Sequence, residues 1–115
     1  MERRQSPRKR ISCSLTVRDL SREIVLGQLV DFSLTGLMLL ATEDIPVGRV
    51  YQLSLEFPEL SPCGDEAVFG AESLWAESSL EPSKYWVGFH IIDISPEYAE
   101  CIRCLFETAD GVGML

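Results

Sequence analysis

Two stretches of strict apolar–polar alternation limit what this chain can fold into more than any other feature. Ile11, Cys13, Leu15 and Val17 alternate with Ser12, Ser14, Thr16 and Arg18; Tyr51, Leu53, Leu55 and Phe57 alternate with Gln52, Ser54 and Glu56. A period of two belongs to strands with one buried face. Further apolar runs fall at 24–30, 37–40, 67–77 and 85–92, separated by turn formers such as Pro46, Gly48, Pro58, Pro62 and Gly64. Gly70, inside the 67–77 run, predicts a bulge. The period changes only near the C-terminus. There Ser95 is a helix N-cap, Pro96 takes the first helical position, and Glu97 suits the positive end of the dipole. Tyr98, Cys101, Ile102, Leu105 and Ala109 form the apolar stripe of that helix, and Gly111 can cap its end. The pattern predicts an all-β architecture, a small antiparallel barrel or sandwich, with one C-terminal α-helix packed on it. The expected division is a flexible basic arm at 1–10, a β-domain at 11–94, the helix at 95–110 and a tail at 111–115.

With 115 residues the chain suits a single domain that buries its own core. No apolar run approaches the roughly 20 residues of a membrane span. No apolar segment follows the arginine-rich start as in a secretory signal, so the expectation is a cytoplasmic protein. The net charge of −8 is unevenly spread: Arg3, Arg4, Arg8, Lys9 and Arg10 against Glu2 give residues 1–10 a charge of +4, leaving −12 on the rest. A body so acidic repels a nucleic-acid backbone, which needs a basic face. A short basic arm on an acidic domain fits a small anion better.

The four cysteines show no zinc spacing, because Cys101-x-x-Cys104 has no second pair and His90 is the only histidine. Reduced, mostly buried thiols are expected, with no metal. His90 has no recognisable nucleophile or carboxylate partner, so the chain is not read as an enzyme. Trp75 and Trp86 are read as core or barrel-face residues, ligand stacking being the minority alternative.

Two stretches carry chemistry. Arg4 and Arg8 offer planar forks that suit phosphates and the O6/N7 edge of guanine, and Arg3, Lys9 and Arg10 add to the positive field. In the bend 31–36, ionised Asp31 accepts N–H donors, Ser33 donates or accepts, and Gly36 lets a flat ligand approach the backbone. Taken separately, the first is a solvated tail and the second a side-chain-stabilised turn. In this order, Arg4-x-x-x-Arg8 and Asp31-x-Ser33-x-x-Gly36 resemble the PilZ domain signature, RxxxR followed by [D/N]xSxxG. The Glu2-Arg3-Arg4-x-x-Pro7-Arg8 opening, the Trp75 strand, Val87-Gly88-Phe89 and the terminal helix extend the resemblance over essentially the whole chain.

That resemblance implies a six-stranded antiparallel β-barrel that binds the bacterial messenger cyclic di-GMP without catalysis or cofactor. Arg4 and Arg8 would contact guanine edges and phosphates as the arm wraps the ligand, and Asp31, Ser33 and Gly36 would form the platform beneath it. Arg3, just before the first motif arginine, goes with an intercalated ligand dimer. Signalling would pass to a downstream protein. The rival reading is a protein-interaction adaptor that docks on a partner or an anionic membrane without nucleotide.

Overall fold

The computed structural model describes residues 9–10 and 14–108. Seven strands precede one helix: β1 (Lys9–Arg10), β2 (Thr16–Asp19), β3 (Ile24–Phe32), β4 (Gly36–Ala41), β5 (Val50–Glu56), β6 (Glu66–Ser78), β7 (Tyr85–Ile94) and α1 (Pro96–Thr108). All pairings are antiparallel. The order β3-β2-β5-β6-β7-β4 closes on itself through β3–β4, giving a six-stranded barrel, while β1 adds two residues to the outer end of β3. Closure leaves the six barrel strands without a long free edge.

The predicted alternation is realised along β2 and, apart from Ser54, which is 1% exposed and donates to Glu66 Oε1 at 2.6 Å, along β5. Val17, Leu53 and Leu55 are at most 1% exposed, while Arg18 and Glu56 face outward as an ion pair with 3.9 Å between Nε and Oε2. Ile11 and Cys13 lie outside the described residues. Across the barrel, Leu26, Leu39, Phe69, Val87 and Phe89 fill the interior, and Ile102 and Leu105 of α1 cover the end near Phe32. Burying each such side chain contributes about 1.5–3 kcal/mol before entropy is counted. Ser95 caps α1 as expected: its Oγ accepts from Tyr98 N at 3.2 Å. The Asp110–Gly111 end lies outside the described residues.

Four register irregularities interrupt the pairing of the described residues, one of them between Val17 and Arg18, where Leu26 of β3 is the extra residue. The register also shifts between Gly70 and Ala71, but the inserted residue is Ile92 of β7, so the bulge expected at Gly70 falls on the partner strand. Two more, between Leu29 and Asp31 on β3 and between Ser73 and Trp75 on β6, each insert one residue opposite none. Such an insertion reverses the in–out phase of every residue beyond it. Leu29 and Phe32, three apart, therefore both point into the core at 4% and 2% exposure.

One expectation is corrected. Cys63 and Cys104 are not reduced thiols: they form a disulfide with Cα atoms 5.6 Å apart, bridging 41 positions. The loop 57–65 folds back over α1, closed by Phe57 N donating to Asp65 O at 2.9 Å. That fold-back brings together two cysteines whose sequence spacing carries no signal. Cys101 keeps a free thiol.

Candidate ligand-binding site

Asp31 belongs to β3 rather than to the following bend. After strict alternation from Leu29 its side chain would enter the core; the extra residue, Val30, turns it out beside Met38 and sends Phe32 in against Leu37. The turn itself is Ser33–Gly36. Ser33 N donates to Gly36 O at 2.8 Å, and Ser33 Oγ accepts from Thr35 N at 3.2 Å and Gly36 N at 3.1 Å. The turn is anchored to β7 by Ile91 N donating to Thr35 O at 2.8 Å. Ser33 is 2% exposed, so its oxygen is spent on shaping the turn and only its hydroxyl proton remains to offer. Ser33→Ala is expected to strand the buried Gly36 N–H, to free the part-buried Thr35 N–H, and to lower stability by about 1–3 kcal/mol, read as an earlier midpoint in urea unfolding.

The second bulge does for Trp75 what the first does for Asp31. Leu74 is the inserted residue, so Trp75 faces outward opposite Gly88. The registers then form one continuous row across five strands: Arg10, Asp31, Met38, Gly88 and Trp75. An adjacent row on β4, β7 and β6 is Gly36, His90 and Glu72, with His90 exposed. Trp75 lies flat over Gly88. A Cβ there would stand 2.2 Å from Trp75 Nε1 and 2.4 Å from Cε2, so only glycine admits the ring in this pose. Trp75 remains 40% exposed. Together with Asp31, Met38, Leu74 and Phe89 it lines an open cleft of about 330 Å³, within the range of small-molecule sites.

β1 lies at one end of this row. β1 pairs Lys9 with Phe32 and Arg10 with Asp31. Lys9 Nζ sits 4.7 Å above the Phe106 ring of α1, a cation–π contact. Phe106 in turn meets Phe32 edge-on, with ring centroids 5.8 Å apart. Arg3, Arg4 and Arg8 lie outside the described residues. What the barrel supplies is a carboxylate, an indole, a thioether and bare backbone.

The far end of β3 holds a different kind of cleft, about 340 Å³, lined by Asp19, Arg22, Glu43, Arg49 and Tyr51 among others. Three of its charges, Asp19, Arg22 and Glu43, are committed to each other. Arg22 bridges Glu43 and Asp19, donating to Asp19 Oδ2 at 2.8 Å. The hydrogen bond to Glu43, then that to Asp19, raises the Arg22 pKa above its ordinary value. Asp19, 2% exposed, also accepts from Ser21 N at 3.0 Å. This network ties two turns together. On α1, Arg103 is bracketed by Glu100 and Glu107, and its hydrogen bond holds the Glu100 carboxyl below the usual range. Among the described residues no group of three or more His, Cys, Asp or Glu is placed to hold a metal, and no helix is long and apolar enough to cross a membrane.

Of the three motif residues after the arm, Asp31 lines the outer cleft, whereas Ser33 and Gly36 border a separate small void beneath the turn. The motif did not single out Met38, Gly88 or the outward pose of Trp75. The signals available were the Trp75–Gly88 pairing of the largest side chain with the smallest, and an out-of-phase Asp31-Phe32.

A closed six-stranded barrel, capped by a helix and bearing an outer cleft at the root of a basic arm, defines a small binding module. The PilZ domain model matches residues 2–107, and the chain belongs to the PilZ domain family. Three solved structures share its fold. The PilZ domain with c-di-GMP of YcgR from Escherichia coli has a TM-score of 0.72 at 15% identity, covering 95% of this chain and 92% of that one. The Bacillus subtilis inhibitor of motility MotI/DgrA has a TM-score of 0.69 at 15% identity, covering 96% of this chain and 53% of that one. YcgR from Escherichia coli in complex with c-di-GMP has a TM-score of 0.72 at 18% identity, covering 93% and 46%. The chain thus spans about half the length of the latter two. No curated protein matches at a significant level.

Proposed function

We propose that this PilZ domain is a non-enzymatic receptor for cyclic di-GMP, held between the basic arm and the outer cleft. The observation that carries this reading is the row Asp31–Met38–Gly88–Trp75, which begins where β1 joins the arm to β3. Membership of the family and the c-di-GMP complexes of two similar structures support it.

Each part has a chemical task. Arg4 and Arg8 supply bidentate donors to phosphates and to the O6/N7 edges of guanine. Asp31 accepts the N1–H and N2–H of a guanine. Trp75 offers a face for stacking, and Gly36 and the Ser33 turn give a floor without bulk. The barrel floor carries Asp31 and, one row away, Glu72, so a dianion gains nothing from it unaided. The arm must order over the ligand, at about 1–2 kcal/mol per residue fixed. Several charge-assisted contacts therefore have to form together to reach micromolar affinity, roughly −8 kcal/mol. Arg3 extends the cationic surface and favours an intercalated ligand dimer, and Lys9 and Arg10 contribute charge from β1. Ordering of the arm changes the surface that a downstream protein reads.

Calorimetry on the full chain with cyclic di-GMP tests the reading. Saturable binding is expected, with two ligands per chain where the dimer forms. Absence of binding, together with salt-sensitive binding to anionic vesicles, favours the adaptor instead.

A further inference from the structure

Three cysteines meet where the 57–65 loop folds onto α1, away from the ligand cleft. Cys63 is bonded to Cys104. Cys101, one turn earlier on α1, is free, and its Sγ is 3.5 Å from where a Cβ on Gly64 would stand. The Cys63–Gly64 turn therefore faces both helix cysteines, which share a side of α1. Cys63 is 7% exposed, while Cys104 and Cys101 are only half-buried. An incoming thiol reaches the bond from the helix side.

The same helix supports the ligand site. Phe106, two residues beyond Cys104, packs edge-on against Phe32 and lies under the Lys9 ammonium. Phe32 sits between Asp31 and Ser33, and Lys9 is its register partner on β1. Ile102 lies beneath Ser33 and Gly36, around a residual void of only about 10 Å³. One element thus carries the disulfide and also the support under the root of the arm.

We infer that Cys63 and Cys104 form a reversible redox-modification site whose state sets how tightly the cleft and arm hold cyclic di-GMP; this rests on the ligand reading above. The reaction is exchange with a small-molecule thiol, R–SH. A thiolate attacks one sulfur of the pair, breaking the S–S bond, forming a mixed disulfide and releasing the other cysteine, which takes up a proton. A second R–SH displaces the remaining cysteine and leaves R–S–S–R. Two electrons and two protons pass to the protein. In the bonded state α1 is fixed to the loop and Phe106 is fixed beneath Lys9. In the open state the last turns of α1 loosen around Ile102 and Leu105, and the arm loses pre-organised support. Lost pre-organisation is read as weaker binding, by about three- to tenfold.

The test uses the full chain equilibrated with oxidised glutathione or with dithiothreitol. Alkylation followed by mass measurement is expected to label two of the four cysteines after oxidation and all four after reduction. Calorimetry should give the weaker Kd in the reduced state. Cys101→Ser/Cys104→Ser, which leaves Cys63 without a helix partner, should bind like the reduced chain under both treatments. Four labelled cysteines after oxidation, or equal Kd values in the two states, overturn the inference. Amide exchange at Lys9, Arg10 and Phe32 reads the coupling without ligand: faster exchange on reduction supports it, and equal exchange overturns it. Absence of binding in both states overturns the ligand reading, and the ligand-free exchange measurement tells the two failures apart.

Discussion

Replacing Arg4 and Arg8 together with alanine is expected to weaken cyclic di-GMP binding by about a hundredfold or more, without changing the barrel. Hydrogen bonds to charged groups are worth about 1.5–3 kcal/mol each, and every 1.4 kcal/mol is about tenfold in Kd. The loss should be this large because the described residues that line the cleft include the Asp31 carboxylate and no cation. Both arginines precede β1, so the substitutions leave every described barrel pairing in place. Arg4→Lys/Arg8→Lys should recover only part of the affinity, because a lysine keeps the charge but not the planar fork. Calorimetry with a circular-dichroism control reads both. Binding unchanged by the double alanine variant removes the arm from the site.

Gly88→Ala is expected to weaken binding by about ten- to a hundredfold while leaving the fold assembled. The added methyl would fall within 2.9 Å of three atoms of the Trp75 ring, so the ring must move. Trp75 is 40% exposed and can swing toward solvent, which spares the core. The loss is that of one base-stacking face, about 1–3 kcal/mol. Trp75→Ala should show a similar loss. Agreement between the two variants assigns the effect to the indole, and a normal Kd in Gly88→Ala shows that the ring plays no part. Tryptophan fluorescence should shift to the red in Gly88→Ala, since Trp86 lies elsewhere, in the wall of a separate groove beside Leu40 and Leu80.

The strands were legible where alternation runs unbroken, as in β2 and β5, and the helix where its cap and stripe agree. The motif was legible in the sequence, but the geometry around it was not. Asp31 and Trp75 face one cleft because a single inserted residue, Val30 or Leu74, reverses the phase of its strand. The local mark of the β3 insertion is only a slip of phase at Asp31-Phe32, and Leu29-Val30-Asp31-Phe32 reads equally well as a strand ending in a polar bend. The pairing of Lys9–Arg10 with β3 was hidden for another reason. Two residues are too short for a period, and their basic side chains mark them as arm. The Cys63–Cys104 bond depends on a loop returning to a helix 41 positions later. Contact at that range leaves no trace in spacing.

The proposed function has one central claim: that cyclic di-GMP binds across the Asp31–Met38–Gly88–Trp75 row. The most direct test is nuclear magnetic resonance titration of the isotope-labelled full chain with cyclic di-GMP. The predicted result is saturable shifts of the Asp31, Met38 and Gly88 amides and of the Trp75 indole N–H, with the Trp86 indole and the Asp19–Arg22 turn unmoved. Shifts confined to the Asp19–Arg22 end of the barrel, or none at saturating ligand, would contradict it.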